Sequence, residues 1–228
     1  MYSHTLTPRL EKIAALINNS QVAADIGTDH AYLPIALISR GKAKHVIASD
    51  INPGPLERAR SNVSKYNMNE QISLRLGSGL SAIAAGECAD TLVIAGMGGL
   101  NIMQMLKEGE ETVKKAETVI VQPMTKIPEL RQYLYDSGFS GIREYLVKES
   151  EKLYVIIAFE TQKTENKPLS ELEKLLGRSL INTQPEHFAE YKELFIKRLK
   201  ASIDGLRLST DSQKLSETEK LLSEAEKI

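Results

Sequence analysis

The chain has 228 residues, with 29 Lys and Arg against 30 Asp and Glu, 42% apolar residues and one cysteine, which describes an ordinary globular protein of one sizeable domain, with or without an appendage. A single thiol excludes an internal disulfide framework and a zinc site built on several cysteines. No signal peptide is visible and no stretch approaches the roughly 18 apolar residues of a membrane span, so a cytoplasmic protein is expected. A formal net charge of −1 gives no global attraction to nucleic acid, and any polyanion must be held by a local basic patch.

From the start to about residue 160, short β-branched runs alternate with segments of helical period, the pattern of a parallel sheet with crossover helices. A first helix opens with Thr7 as cap and Pro8 at its first position. Strands are predicted at Val22–Ile26, His45–Ser49, Ile72–Leu76, Thr91–Ala95 and Thr118–Gln122, with helix stops at Gly41 and Gly138. The last two strands, around Ile142–Val147 and Leu153–Phe159, are joined by the charged loop 148–152, too short for anything but an antiparallel hairpin. A polar run, 161–167, ends in Pro168 and marks a domain boundary, with a first domain over 1–160 and a helical one over 161–228.

Beyond Pro185 the pattern is helical: Phe188, Tyr191, Phe195, Leu199, Ile203 and Leu206 form one stripe, and Leu215, Thr218, Leu222 and Ala225 another. With Ser209, Thr210 and Asp211 between them, the two helices would pair as an antiparallel coiled-coil hairpin, or else lie flat on the first domain.

Open parallel sheets bind ligands beyond the carboxyl ends of their strands, so the strand tips are where chemistry is sought. The first tip reads Ala24-Asp25-Ile26-Gly27-Thr28-Asp29-His30-Ala31-Tyr32, and the second ends in Asp50-Ile51. Dinucleotide sites need further glycines so that backbone amides can approach a pyrophosphate; here only Gly27 is present and carboxylates occupy the turn. That argues against a nicotinamide-dependent dehydrogenase. Asp25 and Asp29 suit a ligand with positive charge and hydroxyl donors, and S-adenosylmethionine offers an ammonium, a sulfonium and a ribose diol. Asp50 is placed to accept both ribose hydroxyls, or is simply a helix cap. Gly77-Ser78-Gly79-Leu80 either holds an adenine edge or only makes a tight turn.

The fourth tip, Ala95-Gly96-Met97-Gly98-Gly99, opens a helix and admits close approach of a flat ligand, or of a phosphate. Gln122, at the fifth tip, either hydrogen-bonds an acceptor ring or satisfies nearby backbone. His4, His45 and His187 are isolated and lack the partners a metal site needs, and Cys88 carries no nucleophile motif.

With these residues in place the chain resembles the bacterial tRNA adenine-22 N1-methyltransferase family, class I S-adenosylmethionine-dependent enzymes with a carboxy-terminal coiled coil. The resemblance covers essentially the whole length. It rests on Arg9-Leu10, on the run from Ala24 through Asp29-His30-Ala31-Tyr32-Leu33-Pro34, on Gly77-Ser78-Gly79-Leu80, on Ile94-Ala95-Gly96-Met97-Gly98-Gly99, and on Gln122-Pro123.

The resemblance implies a Rossmann-like sheet of seven strands with an antiparallel final hairpin, and methylation of N1 of adenine 22 in tRNA. The cofactor-binding set becomes Asp25, Gly27, Asp29, His30, Asp50, Ile51, Gly77, Ser78, Gly79, Leu80 and Ala95, with Gly96, Met97, Gly98 and Gln122 at the transfer centre and no metal. Two departures stand out: Ser78 where relatives commonly place an aspartate, and Met124 where they often have asparagine.

Adenine N1 has an in-plane lone pair and needs no strong base, so the expected work is to flip the base, align it and exclude water. Tyr32 either stacks on that base or packs in the core. Lys192, Lys197, Arg198, Lys200 and Arg207, against Glu193 and Asp204, give the tail a local basic excess that either meets tRNA phosphates or is a solvated face; Arg9 is a second candidate contact. His30 is read as a cofactor-side hydrogen-bonding group. A monomer is the simplest assembly. The rival readings are a class I methyltransferase acting on a small molecule or protein, and a non-catalytic RNA-binding module that retains the cofactor pocket.

Overall fold

Strands rich in Val, Ile and Ala, buried on both faces, organise the molecule, as a sheet covered by helices on either side requires. The computed structural model describes residues 5–208 and 211–228, so His4 and the turn residues Ser209 and Thr210 lie outside the described part. In chain order the elements are α1 (Pro8–Leu16), β1 (Ser20–Ile26), α2 (Tyr32–Ser39), β2 (Ala43–Asp50), α3 (Pro53–Lys65), β3 (Ile72–Leu76), a 3₁₀ turn (Gly79–Ala82), β4 (Thr91–Gly98), α4 (Gly99–Glu108), α5 (Glu110–Lys115), β5 (Thr118–Thr125), α6 (Ile127–Asp136), β6 (Phe139–Glu149) and β7 (Lys152–Lys163). The tail follows as α7 (Glu171–Leu176), α8 (Arg178–Thr183), α9 (Phe188–Leu206) and α10 (Ser212–Glu226).

The sheet order is 3-2-1-4-5-7-6, with β7 antiparallel to both β5 and β6 and the other neighbours parallel. Chain order therefore reverses between β1 and β4, which places a crevice beyond their carboxyl ends. One apolar layer, with Ile13, Leu33, Ile35 and Val63, packs α1, α2 and α3 on one face. The other, with Ile102, Leu106, Leu130 and Leu134, packs α4 and α6 on the opposite face.

The predicted strands are present, but several are longer than predicted because backbone pairing outlasts the apolar pattern. β4 runs on to Gly98 and β5 to Thr125, paired through a bulge around Met97. β7 continues through the polar residues to Lys163, whose Cα pairs with that of Phe139 and whose ammonium sits 3.5 Å from the Phe139 ring centroid.

The tail helices α9 and α10 pack against each other. Lys200 pairs with Glu226 and Arg207 with Glu219, a crossing pattern that only an antiparallel pair allows. The tail is also anchored to the sheet domain. Arg131 on α6 and Glu144 on β6 form an ion pair at 2.7 Å that is almost wholly buried, and Arg131 donates further to the carbonyls of Lys174 and Leu175 at the end of α7. Leu180 and Phe188 lie within the main core.

Candidate functional site

At the reversal point, Asp25, Gly27, Thr28, Asp29, His30 and Tyr32 from β1 and its turn face Ala95, Gly96 and Gln122 from β4 and β5. Arg9 of α1 closes the side of a cavity of about 250 Å³. Asp25 is the chemical centre of this wall. It is 8% exposed, and burial pushes its carboxyl up to about 6, with Thr28 opposing the shift. Among the described residues no cation pairs with it, so a cationic ligand group beside it would favour its charged form.

The turn after β1 is built under constraint. The amides of Gly27 and Thr28 both donate to the Ser49 carbonyl at 2.7 Å, drawing the tips of β1 and β2 together. A Cβ on Gly27 would lie 2.2 Å from the Met97 methyl, so glycine lets the fourth-strand loop cross over the turn. His30 and Ala31 follow, both with positive φ, a conformation that costs non-glycine residues about 1–3 kcal/mol each and clusters at ligand sites. The consequence is a parallel stack of the His30 and Tyr32 rings, centroids 5.1 Å apart, along the cavity wall. Tyr32 is thus half-buried at the site. Asp29 is exposed and shares its Oδ1 with Arg58 at 3.0 Å and His30 Nε2 at 3.5 Å.

Asp50 stands at the tip of β2 with Oδ1 accepting the Asn52 amide at 2.7 Å. That bond closes a turn ahead of α3 rather than capping the helix, whose N-cap residue is Asn52, and it orients the carboxylate while Oδ2 has no protein partner among the described residues. Ser78, Gly79 and Leu80 line a neighbouring cavity toward α4 and α5 rather than the one beside Asp25. Asp50, Ile51, Gly77, Met97 and Gly98 line neither cavity and stand at or just beyond the carboxyl ends of β2, β3 and β4. Of the six exposed large apolar side chains among the described residues, Ile51, Leu76, Leu100 and Met124 cluster at the carboxyl ends of β2, β3, β4 and β5. They stand at the edge of the sheet where open parallel sheets bind ligands. Leu76 and Leu100 carry no motif, and their exposure at strand tips is visible only in the fold.

Gln122 is fully buried and fully used. Its Oε1 accepts from the Gly96 amide at 3.1 Å and Arg9 Nη1 at 3.0 Å, while Nε2 donates to the Pro123 carbonyl at 3.0 Å and approaches Met124 Sδ at 3.5 Å. Of the two readings open for this amide, the geometry matches backbone satisfaction. Arg9, expected as a phosphate contact, instead lies in the cavity wall, bonded through its guanidinium to both oxygens of Glu149 and stacked 4.4 Å from the Tyr154 ring centroid. Glu149 falls in the charged loop 148–152 of the sequence, and its partnership with Arg9, 140 positions away, arises only in the fold.

On the tail, Lys192, Lys197 and Arg198 have no ion-pair partner among the described residues, whereas Lys200 and Arg207 are engaged with α10. Among the described residues there is no cluster of three or more His, Cys, Asp or Glu able to bind a metal, and no helix long and apolar enough to cross a membrane.

This donor set fits S-adenosylmethionine: a buried carboxylate with no countercharge and a second carboxylate with one oxygen unengaged among the described residues, and exposed apolar side chains at the strand ends for a flat ring. Known proteins agree with the arrangement. A family described as a methyltransferase domain matches residues 6–157. The tRNA (adenine(22)-N(1))-methyltransferase of Bacillus subtilis (strain 168) is 39% identical over 155 residues, and that match spans 68% of this chain and 65% of that protein, just under two thirds of the relative. The crystal structure of the B. subtilis m1A22 tRNA methyltransferase TrmK superposes with a TM-score of 0.85 at 31% identity, covering 97% of this chain and 98% of that one. TrmK of M. capricolum, solved with the cofactor product S-adenosyl-homocysteine, gives a TM-score of 0.85 at 31% identity over 98% and 97% of the two chains.

Proposed function

Because this chain belongs to the methyltransferase-domain family, among the tRNA (adenine(22)-N(1))-methyltransferases, we propose that it transfers a methyl group from S-adenosylmethionine to N1 of adenine 22 in tRNA. The observation that carries this reading is the buried, uncompensated Asp25 carboxylate facing the open Gly96 bulge across the point where the sheet reverses.

When bound, S-adenosylmethionine supplies an electrophilic methyl group on a sulfonium. Asp25 would hold the ammonium of its methionine part, and the free oxygen of Asp50 its ribose. Ile51, Leu76 and Leu100 offer apolar faces for its adenine, which compensates for the missing aspartate at Ser78. Gly96 leaves room for the acceptor, since nothing lies within 4 Å of a Cβ built there. No side chain need take a proton in the transfer, because N1 attacks through its lone pair; the site's task is alignment and exclusion of water. The His30–Tyr32 stack presents an aromatic surface on which an extruded base recovers part of its unstacking cost, about 1–3 kcal/mol.

Residues 1–160 then form the catalytic domain, whose last strand β7 carries past that boundary to Lys163, and the helical tail that follows is the tRNA-contacting part. Within the tail, Lys192, Lys197 and Arg198 are assigned to phosphate contact, while Lys200 and Arg207 hold the hairpin closed. The hairpin pairs within one chain, so the working form is a monomer, and its substrate places it in the cytoplasm. Incubation with methyl-labelled S-adenosylmethionine and bulk tRNA, followed by nucleoside analysis, tests the assignment. Label in 1-methyladenosine, lost when adenine 22 is replaced, supports it; label in another nucleoside or none overturns it.

A further inference from the structure

The bonds around Gln122 have a direction. Its carbonyl oxygen receives two N–H groups, from Gly96 and Arg9, and its amide nitrogen faces an acceptor carbonyl and a thioether. Turning the amide over would set N–H against two other N–H donors, so the orientation is fixed. The Gly96 amide belongs to the bulged part of β4, where register with β5 shifts, and Gln122 supplies the bond the ladder does not. Gln122 in turn depends on Arg9. Arg9 has little freedom of its own: Nε and the backbone N–H bond one oxygen of Glu149 at 3.1 and 3.2 Å, Nη2 bonds the other at 3.2 Å, and Tyr154 lies against its flat face. Only Nη1 remains to reach Gln122.

We propose that Arg9 and Glu149 form a positioning pair for methyl transfer, which fixes the Gln122 carboxamide and through it the Gly96 bulge against which the acceptor purine is aligned. The inference rests on the methyl-transfer reading. It assigns Arg9 a task other than phosphate contact, for a guanidinium already matched by a carboxylate has little charge left for a polyanion.

The pairing also suits the charge that moves in the reaction. As the new N–CH₃ bond forms and the S–CH₃ bond breaks, the positive charge passes from sulfur to the purine. An unpaired guanidinium in this wall would oppose that arrival. Glu149 cancels it: burial alone would raise the Glu149 carboxyl, but the Arg9 side-chain and backbone N–H groups and the Thr7 hydroxyl outweigh burial and hold it below the usual range, so it stays ionised.

The test uses the full chain with Arg9→Lys, which keeps the charge and loses the fork, Arg9→Ala, and Glu149→Gln. The methylation rate under saturating cofactor and tRNA should fall about tenfold or more in each, the scale of loss expected from misplacement near a reacting centre. Affinity for tRNA, by filter binding, and for S-adenosylmethionine, by calorimetry, should hold within a few fold. Millimolar guanidinium should restore part of the rate to Arg9→Ala and none to Glu149→Gln, a response that a merely structural role does not produce. Amide hydrogen exchange adds a readout independent of activity: Gly96 should exchange faster in Arg9→Lys than in the unaltered protein. Unchanged Gly96 exchange overturns the inference even if the protein methylates nothing. Loss of tRNA affinity at an unchanged saturated rate would overturn it in favour of a phosphate contact. Should Arg9→Ala fail to fold, Arg9→Lys decides on the same criteria.

Discussion

Replacing Asp25 by asparagine should strengthen the fold while weakening the cofactor site. Asp25 has its carboxyl raised from 3.8 to about 6 by burial, a shift of about 2 units and so worth about 3 kcal/mol. The folded chain holds this proton more tightly than the unfolded one. The penalty of ionised Asp25 is therefore absent below about pH 4, accumulates between pH 4 and 6, and is constant above. Without ligand at pH 8, Asp25→Asn should be more stable by up to about 3 kcal/mol, a rise of several degrees in melting temperature for a protein of this size. The gap should close by about pH 4. Binding of a cation requires the charged form, so the unaltered protein should lose S-adenosylmethionine affinity by about tenfold per pH unit below 6, while the variant binds weakly at every pH. Thermal scans without ligand and calorimetric titrations between pH 4.5 and 8 measure both effects. A variant no more stable at pH 8, or one that keeps full cofactor affinity, would refute the reasoning.

Other outcomes follow from the same geometry. Asp50→Ala should lower S-adenosylmethionine affinity by about tenfold, the worth of a charge-assisted bond, read by calorimetry; unchanged affinity would confine Asp50 to its turn bond with the Asn52 amide. Glu144→Gln leaves Arg131 buried without its countercharge and should cost about 3 kcal/mol in chemical denaturation, with loss of the α7 anchor seen as faster proteolysis of the tail. Lys197→Glu with Arg198→Glu should weaken tRNA binding by tenfold or more and flatten its salt dependence, without effect on cofactor affinity; equal binding at low and high salt in both proteins would remove the tail from the interface.

The strand tips were legible because their chemistry is local. Asp25 through Tyr32 is a contiguous string whose carboxylates and single glycine exclude phosphate, and β3 lies where its apolar alternation predicts, at Ile72–Leu76. The hairpin of β6 and β7 follows from the length of one loop. What could not be read depends on pairing between distant segments. Arg9 meets Glu149 across 140 positions, so its charge looked free in the sequence. Gln122 shows as a buried polar group in its strand, yet its bonds to Gly96 and Arg9 emerge only when β4 pairs with β5 and α1 packs on β6 and β7. Two of the five tail cations turned out to be paired because α10 brings Glu219 and Glu226 alongside them. The docking of α7 and α8 leaves no local mark for a related reason: its anchor is the buried Arg131–Glu144 pair, and neither residue belongs to an apolar pattern.

The most direct measurement is a crystal structure of this chain grown with S-adenosylmethionine. The account predicts the methionine ammonium at about 3 Å from the Asp25 carboxylate, the ribose on Asp50, and the methyl group directed at the opening beside Gly96. A donor bound away from β1 and β4, or one whose ammonium is met by other groups while Asp25 stays protonated and apart, would contradict it.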